Sequence, residues 1–237
     1  GMANKSDVTT VFEDTILNSD LSSVMANISE SIIDSMTDLP IVSLIRTTGD
    51  IRDYLFLKKI LSFLNGIKDI KSSTRKRMIA KIEKSEDYRH KVGEKLLYII
   101  DRCDDNEKVS YIATVFCAFL KKKIKYGQFL ICADMIQKTY IDVLKYFLNA
   151  TEDWLMVEDA QEELAAGLFY LDMTTTLWNY RKFIMDEIDE NEIGDPGARV
   201  SDVGRTLRYI FNPYYEGYHK MDMPDPMLNM LLNRPNH

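Results

Sequence analysis

The chain has 237 residues, of which 46% are hydrophobic and 28% charged, and its mean hydropathy is -0.22. Disordered chains are poorer in apolar residues, so this composition predicts a globular protein with one large domain or two small ones. No uninterrupted apolar run approaches the ~20 residues of a membrane-spanning helix. No signal-peptide pattern is present near the N-terminus. We therefore expect a cytoplasmic protein without a transmembrane segment.

The net charge of -7 is unevenly distributed along the chain. Residues 1–45 carry one Lys and seven acidic residues, whereas residues 46–125 carry 20 Lys and Arg against 11 Asp and Glu. Residues 151–237 carry 7 basic and 17 acidic residues. Such asymmetry has two explanations, a basic surface that meets phosphate or solvated faces of two oppositely charged parts. The sequence leaves both open.

The cysteines and histidines do not form a metal site. The cysteines lie 14 and 15 residues apart in apolar segments, which predicts reduced and buried thiols at Cys103, Cys117 and Cys132. A zinc site needs about four ligands, and the three histidines are dispersed, at His90, His219 and His237. We expect neither a structural metal nor a cofactor.

Helical patterns dominate the first 148 residues. Apolar steps of three and four over residues 8–39 predict a helix whose stripe packs in the core or against a partner, ending or kinked at Pro40. A second helix is predicted over residues 50–65, and a short basic helix begins at Ser72. Two amphipathic helices follow, over residues 86–103 and from the acidic run at 104–107 to the lysines at 121–123. Residues 128–148 read as one long, nearly all-round apolar helix that forms the spine of this domain.

Residues 149–211 have a different character. We expect a helix opening at Glu152 and stopped by Gly167, and then a strand over the Thr-rich and aromatic residues 168–178. An acidic loop at 186–192, whose spacing fails the calcium-loop pattern, leads to a short strand at 198–200. Ser201 and Asp202 then offer an N-cap for a final helix.

Two resemblances follow from these residues. The order of helix, strand, hairpin, strand and capped helix resembles the trailing part of a winged-helix domain, on Leu164, Gly167, Leu168, Ser201 and Gly204. Residues 39–66 resemble bacterial helical proteins without an assigned function, which implies a bacterial origin and nothing about activity. The predicted fold is mainly α, with an N-terminal helical bundle (1–148), a small α+β winged-helix-like unit (149–211) and a Pro- and Tyr-containing tail (212–237).

One charged cluster has functional potential. Seven cations fall within 17 positions, namely Arg75, Lys76, Arg77, Lys81, Lys84, Arg89 and Lys91. Several such charges on one face are what phosphate binding requires, whereas the alternative is a solvated helix face. A second cluster, Glu158, Asp159, Glu162 and Glu163, lacks the E-x-x-H partners of a di-metal site and predicts a solvated acidic face.

No enzymatic constellation is recognisable. The phosphate loops, the nucleophile elbow and the zinc-protease helix are missing from the sequence. We therefore expect a non-enzymatic interaction protein that binds a protein partner or a second copy, with the N-terminal helix 8–38 as the partner surface. The bacterial resemblance suggests a mobile-element or phage-defence context. The alternative is a regulator that binds nucleic acid through the cluster at 75–91, and an enzyme with an unrecognised site is the third hypothesis.

Overall fold

The computed structural model describes residues 5–25, 39–46, 51–86, 88 and 91–217. Within these residues the chain is mainly α, with twelve α-helices and one three-stranded antiparallel sheet towards the C-terminal end. This confirms the mainly helical fold class with a small sheet. None of the helices in this part of the chain combines the length and apolar character that a membrane crossing requires. The chain forms two compact units, residues 1–137 and residues 138–237.

The first unit consists of helices joined by short turns, and its described residues contain no strand. Its elements are α1 (Lys5–Asn18), α2 (Leu21–Met25), α3 (Pro40–Arg46), α4 (Ile51–Ile67), α5 (Ser72–Glu83), α6 (Val92–Asp101), α7 (Asn106–Leu120) and α8 (Tyr126–Lys138). The expected helix start at the acidic run is confirmed, because the Asp105 carboxylate accepts a hydrogen bond of 2.8 Å from the Lys108 backbone N–H. Such N-caps satisfy backbone donors that the first turn leaves unpaired.

The core of the first unit lies where α4 packs on α7. Gly66 permits this approach, because a Cβ atom there would lie 2.4 Å from the Cβ of Ala113. Buried aromatic rings extend the core on either side, with Phe63 5.7 Å from Phe116 and Phe116 5.2 Å from Phe129. The close helix contact and the ring contacts together build a close-packed interior.

The N-terminal apolar stripe belongs to this core. Phe12 and Ile16 of α1 are fully buried, and α1 packs against α3, α5 and α6. The predicted single helix over 8–39 is wrong in the described residues, because α1 ends at Asn18 and the Asp20 carboxylate accepts a 2.8 Å hydrogen bond from the Ser22 hydroxyl. Residues 26–38 lie outside the described residues. The stripe of α1 is therefore not exposed as a partner surface.

The predicted spine helix over 128–148 is also interrupted. Helix α8 ends at Lys138, and Tyr140 takes an extended backbone angle (ψ 133°) as the N-cap of α9 (Ile141–Asn149). Apolar residues continue across the break, so periodicity alone does not reveal where the backbone turns. The compact units divide between residues 137 and 138, whereas the sequence places the domain boundary after residue 148.

The second unit combines short helices with the sheet. Its elements after α9 are β1 (Trp154–Met156), a 3-10 turn (Val157–Asp159), α10 (Gln161–Ala166), β2 (Phe169–Asp172), α11 (Thr174–Ile184), a 3-10 turn (Glu190–Glu192), β3 (Gly197–Val200) and α12 (Asp202–Phe211). The strand order is β1-β3-β2. In the register, Trp154 and Tyr170 both lie opposite Arg199 of the central strand.

Two sequence predictions in the second unit require correction. The helix expected from Glu152 is wrong, because residues 154–156 pair with β3 and the helix begins only at Gln161. The strand expected over 168–178 covers only residues 169–172. The Asp172 carboxylate accepts a 3.0 Å hydrogen bond from the Thr174 backbone N–H at the start of α11. This local capping overrides the strand preference of the threonines.

Other predicted boundaries of the second unit are confirmed. Gly167 ends α10 in the left-handed conformation at φ 87°, which glycine adopts without steric cost. The Ser201 hydroxyl accepts a 3.2 Å hydrogen bond from the Gly204 N–H and so caps α12. Gly204 also lies close to the preceding turn, because a Cβ there would meet the Leu168 carbonyl oxygen at 2.5 Å. The predicted tail is described only as far as residue 217.

Candidate nucleic-acid interface

Arg75, the first residue of the predicted cluster, is buried in the first unit. Its side chain is 1% exposed, and its guanidinium donates hydrogen bonds to the carbonyl oxygens of Ile70 (3.0 Å), Ile16 (2.7 Å) and Ser19 (2.6 Å). The Ile16 and Ser19 carbonyls lie at the C-terminal end of α1, where helical carbonyls lack intrahelical partners. Burial lowers the pKa of this guanidinium. Arg75 therefore ties α1 to α5 and is not available to phosphate at the surface.

The other described cations of the cluster form two groups, one along an exposed face of α5 and one next to α1. Arg77, Lys81 and Lys84 are exposed and follow one another at spacings of four and three, which places them along one face of α5 and its C-cap. Lys76 extends towards α1, with its ammonium 3.5 Å from the Asn18 amide oxygen. Lys91 precedes α6 and lies 3.7 Å from the Glu13 carboxylate. Arg89 lies outside the described residues.

Further lysines join this face from other segments. A groove of about 400 Å³ is lined by Lys71, Thr74 and Arg77 from one side and by Lys121 and Lys122 from the other. Its lining holds one acidic residue, Asp69. We call Lys71, Arg77, Lys81, Lys84, Lys121 and Lys122 the cationic face.

The end of α7 fixes the lysines at one side of the groove. The Lys122 N–H donates to Phe119 O and the Lys123 N–H donates to Ala118 O, both at 2.9 Å, which is a Schellman arrangement. Lys122 takes the left-handed conformation at φ 61°, where glycine is the usual residue. The sequence predicts the lysines at 121–123 at the end of a helix and gives no signal for Lys71, because only the fold brings the three segments together.

The cationic face is suited to phosphate and not to base stacking. Within the described residues, Arg77 and Lys81 have no ion-pair partner, so both charges are free to meet an anion. Tyr88, an aromatic residue between Lys84 and Lys91 in the sequence, packs edge-on against Tyr126 with ring centroids 4.9 Å apart. Stacking platforms for single strands require exposed rings. From Lys71 to Lys84 the face offers point charges along about 20 Å of helix.

The thiols are poorly placed for chemistry. Burial raises the pKa of Cys103 and Cys117 to about 11 and that of Cys132 to about 12. The thiolate is the reactive form, so these thiols are weak nucleophiles near neutral pH. In the part of the chain that the structure describes, no cluster of three or more His, Cys, Asp or Glu residues has a metal-binding arrangement.

Comparison with protein-family models, with curated proteins and with solved structures finds no match for this chain.

Proposed function

We propose that this protein is a non-enzymatic, cytoplasmic interaction protein that binds the phosphate backbone of duplex nucleic acid through the cationic face. The observation that carries the proposal is the groove in which Arg77 of α5 lies beside Lys121 and Lys122. Binding to a polyanion releases counterions in proportion to the number of phosphates neutralised, so several converging cations are the feature that matters.

The chemistry favours binding without sequence preference. Lysine and arginine contacts to phosphate position a protein on a duplex but carry no base information. The cationic face presents six cations on a helix, a turn and a helix end, and the described residues that line its groove include no aromatic side chain. We therefore expect duplex DNA and duplex RNA of different sequences to bind with similar affinity, and single strands to gain nothing from stacking.

The second unit is proposed to be winged-helix-like, but it is not the proposed binding surface. The strand order β1-β3-β2, the Gly167 stop and the Ser201-capped helix support this assignment. Helix α11 lies between β2 and β3, where the resemblance implies a simple hairpin, and acidic residues follow it at 186–192. Phosphate binding is therefore assigned to the first unit.

Fluorescence anisotropy with a short labelled duplex tests the proposal. The double variant Arg77→Ala with Lys81→Ala should bind about tenfold or more weakly, because two phosphate contacts are lost. The matched control is Lys95→Ala with Arg102→Ala, which removes two cations that contact Tyr98 on α6. It should change the affinity less than about twofold.

Two results would refute duplex binding by this face. One is the absence of salt-sensitive binding by the wild type at low ionic strength. The other is an equal loss of affinity in the two double variants, since that would reflect net charge alone. Circular dichroism should show an unchanged helix content in the Arg77→Ala, Lys81→Ala variant, because both replaced side chains are exposed, and the same measurement checks the fold of the control.

A further inference from the structure

One face of the three-stranded sheet carries exposed apolar side chains. Because side chains alternate along a strand, Trp154 and Met156 of β1 share a face with Arg199 of β3 and Tyr170 of β2. The two β3 residues on the opposite face are fully buried, whereas Trp154, Met156 and Tyr170 are 50%, 57% and 45% exposed. We call Trp154, Met156 and Tyr170 the outer sheet face. A patch of this kind in a folded unit indicates a surface that something covers.

Gly197 fixes the position of the Trp154 ring. The two residues lie on the same face of neighbouring strands, and a Cβ atom at Gly197 would overlap the indole. The ring therefore lies across the central strand, a close approach that requires glycine. The Cα atoms of Trp154 and Tyr170 lie two strand spacings apart, about 10 Å. The sheet thus holds an indole on one side of Arg199 and a phenol ring on the other.

The chemistry of this face suits an extended peptide segment and not a phosphate. The Arg199 guanidinium is paired with the Asp172 carboxylate at 2.8 Å, which neutralises its charge. What the face offers is two rings and a thioether. Exposed rings of this kind bind proline-containing segments, whose extended backbone is already formed and costs little entropy to order. Methionine side chains also pack well on aromatic rings.

The chain itself is led to this face after α12. The buried Tyr215 donates a 2.6 Å hydrogen bond from its hydroxyl to the Asp153 carboxylate. Gly217 lies beside the same carboxylate, since a Cβ atom there would be 2.7 Å from Asp153 Oδ2. Asp153 immediately precedes Trp154 in the sequence. Gly217, the last residue that the structure describes, is therefore held at the edge of the outer sheet face.

The sequence that follows Gly217 has the composition that this face suits. Residues 221–227 read Met-Asp-Met-Pro-Asp-Pro-Met, so three methionines and two prolines fall within seven positions. Proline restricts its own backbone and that of the preceding residue to extended conformations. Pro224 is seven residues beyond Gly217, and seven residues span at most about 25 Å. That reach exceeds the width of the three-stranded sheet, about 10 Å between its edge strands.

We propose that residues 221–227 of the same chain pack on the outer sheet face, with prolines and methionines against the rings of Trp154 and Tyr170. The anchor at Gly217 and the composition of the segment select this occupant. A tethered segment has a high effective concentration, so it occupies the face ahead of free segments. Other extended segments reach the face only when this one is displaced. The proposal does not depend on nucleic-acid binding, because the cationic face belongs to the other unit.

Quenching of Trp154 fluorescence by acrylamide tests the proposal in the full chain. Trp178→Phe leaves Trp154 as the one tryptophan, since the chain has two. In this background, Pro224→Ala with Pro226→Ala should raise the quenching constant about twofold, because the indole loses its cover. The matched control Pro235→Ala removes a proline outside residues 221–227 and should leave the constant unchanged. Equal quenching in the double variant and its parent would overturn the proposal.

A labelled peptide of residues 218–230 supplies the segment in trans. It should bind the double proline variant at least about tenfold more tightly than wild type, because the tethered segment competes in wild type. Adding Tyr170→Ala to the double variant should weaken peptide binding several-fold, with circular dichroism as the check on its fold. Equal peptide binding by wild type and the double variant would contradict the proposal. So would protection of Trp154 that rises with protein concentration, since the occupant would then be a second copy.

Discussion

Each of the two units buries one arginine, and both arginines donate hydrogen bonds to backbone carbonyl oxygens near a helix end, although their surroundings differ. Arg75 of the first unit and Arg208 of the second are both 1% exposed, and both donate to carbonyl oxygens at or just beyond a helix C-terminus. Burial lowers the pKa of each guanidinium. A cation held by carbonyl oxygens satisfies helix ends that would otherwise lose hydrogen bonds on burial.

The surroundings of the two guanidinium groups differ. Arg75 is held by three backbone carbonyls from α1 and the turn before α5. Arg208 also lies over the ring of Phe147, 4.1 Å from its centroid, and within 6 Å of the rings of Phe169 and Tyr215. The second arginine therefore combines hydrogen bonds with ring contacts, and the acidic side chains of Asp153, Glu152 and Glu163 interact with it electrostatically. Its removal should be the more damaging of the two.

The chain provides a separate probe for each unit. All three cysteines lie in the first unit and both tryptophans, Trp154 and Trp178, lie in the second. Thiol labelling during unfolding therefore reports on residues 1–137, and tryptophan fluorescence reports on residues 138–237. These probes make the comparison between the two arginines measurable in a single protein.

The largest effect is expected at Arg208. Replacement by alanine removes the donors to the Phe147 and Glu152 carbonyl oxygens, the contact with the Phe147 ring and the packing of a buried side chain, which should lower the free energy of unfolding of the second unit by about 4 kcal/mol. Urea unfolding followed by tryptophan fluorescence measures this loss. A loss below about 1 kcal/mol would show that water replaces the guanidinium, and the account of this unit would be wrong.

The second-largest loss of stability is expected on replacement of Arg75, and replacement of the nearby Arg77 is the control. Arg75→Ala should destabilise the first unit by about 3 kcal/mol, because it leaves the end of α1 without its donors. Arg77→Ala should stay within about 0.5 kcal/mol of wild type. Thiol labelling in urea distinguishes the two variants. Equal stability of the two variants would contradict the assignment of Arg75 to the interior.

A smaller effect is expected at Asp172, whose carboxylate lies 2.8 Å from the Arg199 guanidinium. Burial raises the pKa of Asp172, whereas the hydrogen bonds from Arg199 and Thr174 lower it. The hydrogen bonds together outweigh burial, so the pKa of Asp172 lies below its ordinary value. A lowered pKa contributes stability above the unfolded value of ~3.9, and that stability is lost as the pH falls through the folded value.

Asp172→Asn should therefore destabilise the second unit by about 1 kcal/mol at neutral pH, because Arg199 is partly exposed and the ion pair is screened. The difference from wild type should shrink as the pH falls below about 4. Tryptophan-detected unfolding at several pH values measures it. A difference that grows in acid would have the wrong sign and would contradict this role of the carboxylate.

The spacing of apolar residues and the helix-capping residues predict several of the helices from sequence alone. The stripe of α4, the Asp105 cap and the Ser201 cap are local features, and the structure contains them where the sequence places them. The break at Tyr140 and the end of β2 at Asp172 were missed. In both places apolar or β-branched residues continue across the boundary, and tertiary contacts or a single carboxylate decide where the backbone turns.

The candidate site could be predicted only in part. Arg75 and Arg77 are two residues apart and chemically identical, yet one is buried and the other exposed. The apolar neighbours Met78 and Ile79 indicate a buried side of α5, and Arg75 shares that side three and four residues earlier. That spacing was the available signal. Lys121 and Lys122 could not be joined to Arg77 from sequence, because their proximity depends on the packing of α5 against α7.

The most direct test of the cationic face is the salt dependence of duplex binding, measured for wild type and for the Arg77→Ala, Lys81→Ala variant over a range of monovalent salt. If both side chains contact phosphate, the slope of the logarithm of affinity against the logarithm of salt should be shallower in the variant by about 2. The Lys95→Ala, Arg102→Ala control should keep the wild-type slope. An unchanged slope in the first variant would contradict phosphate binding by this face.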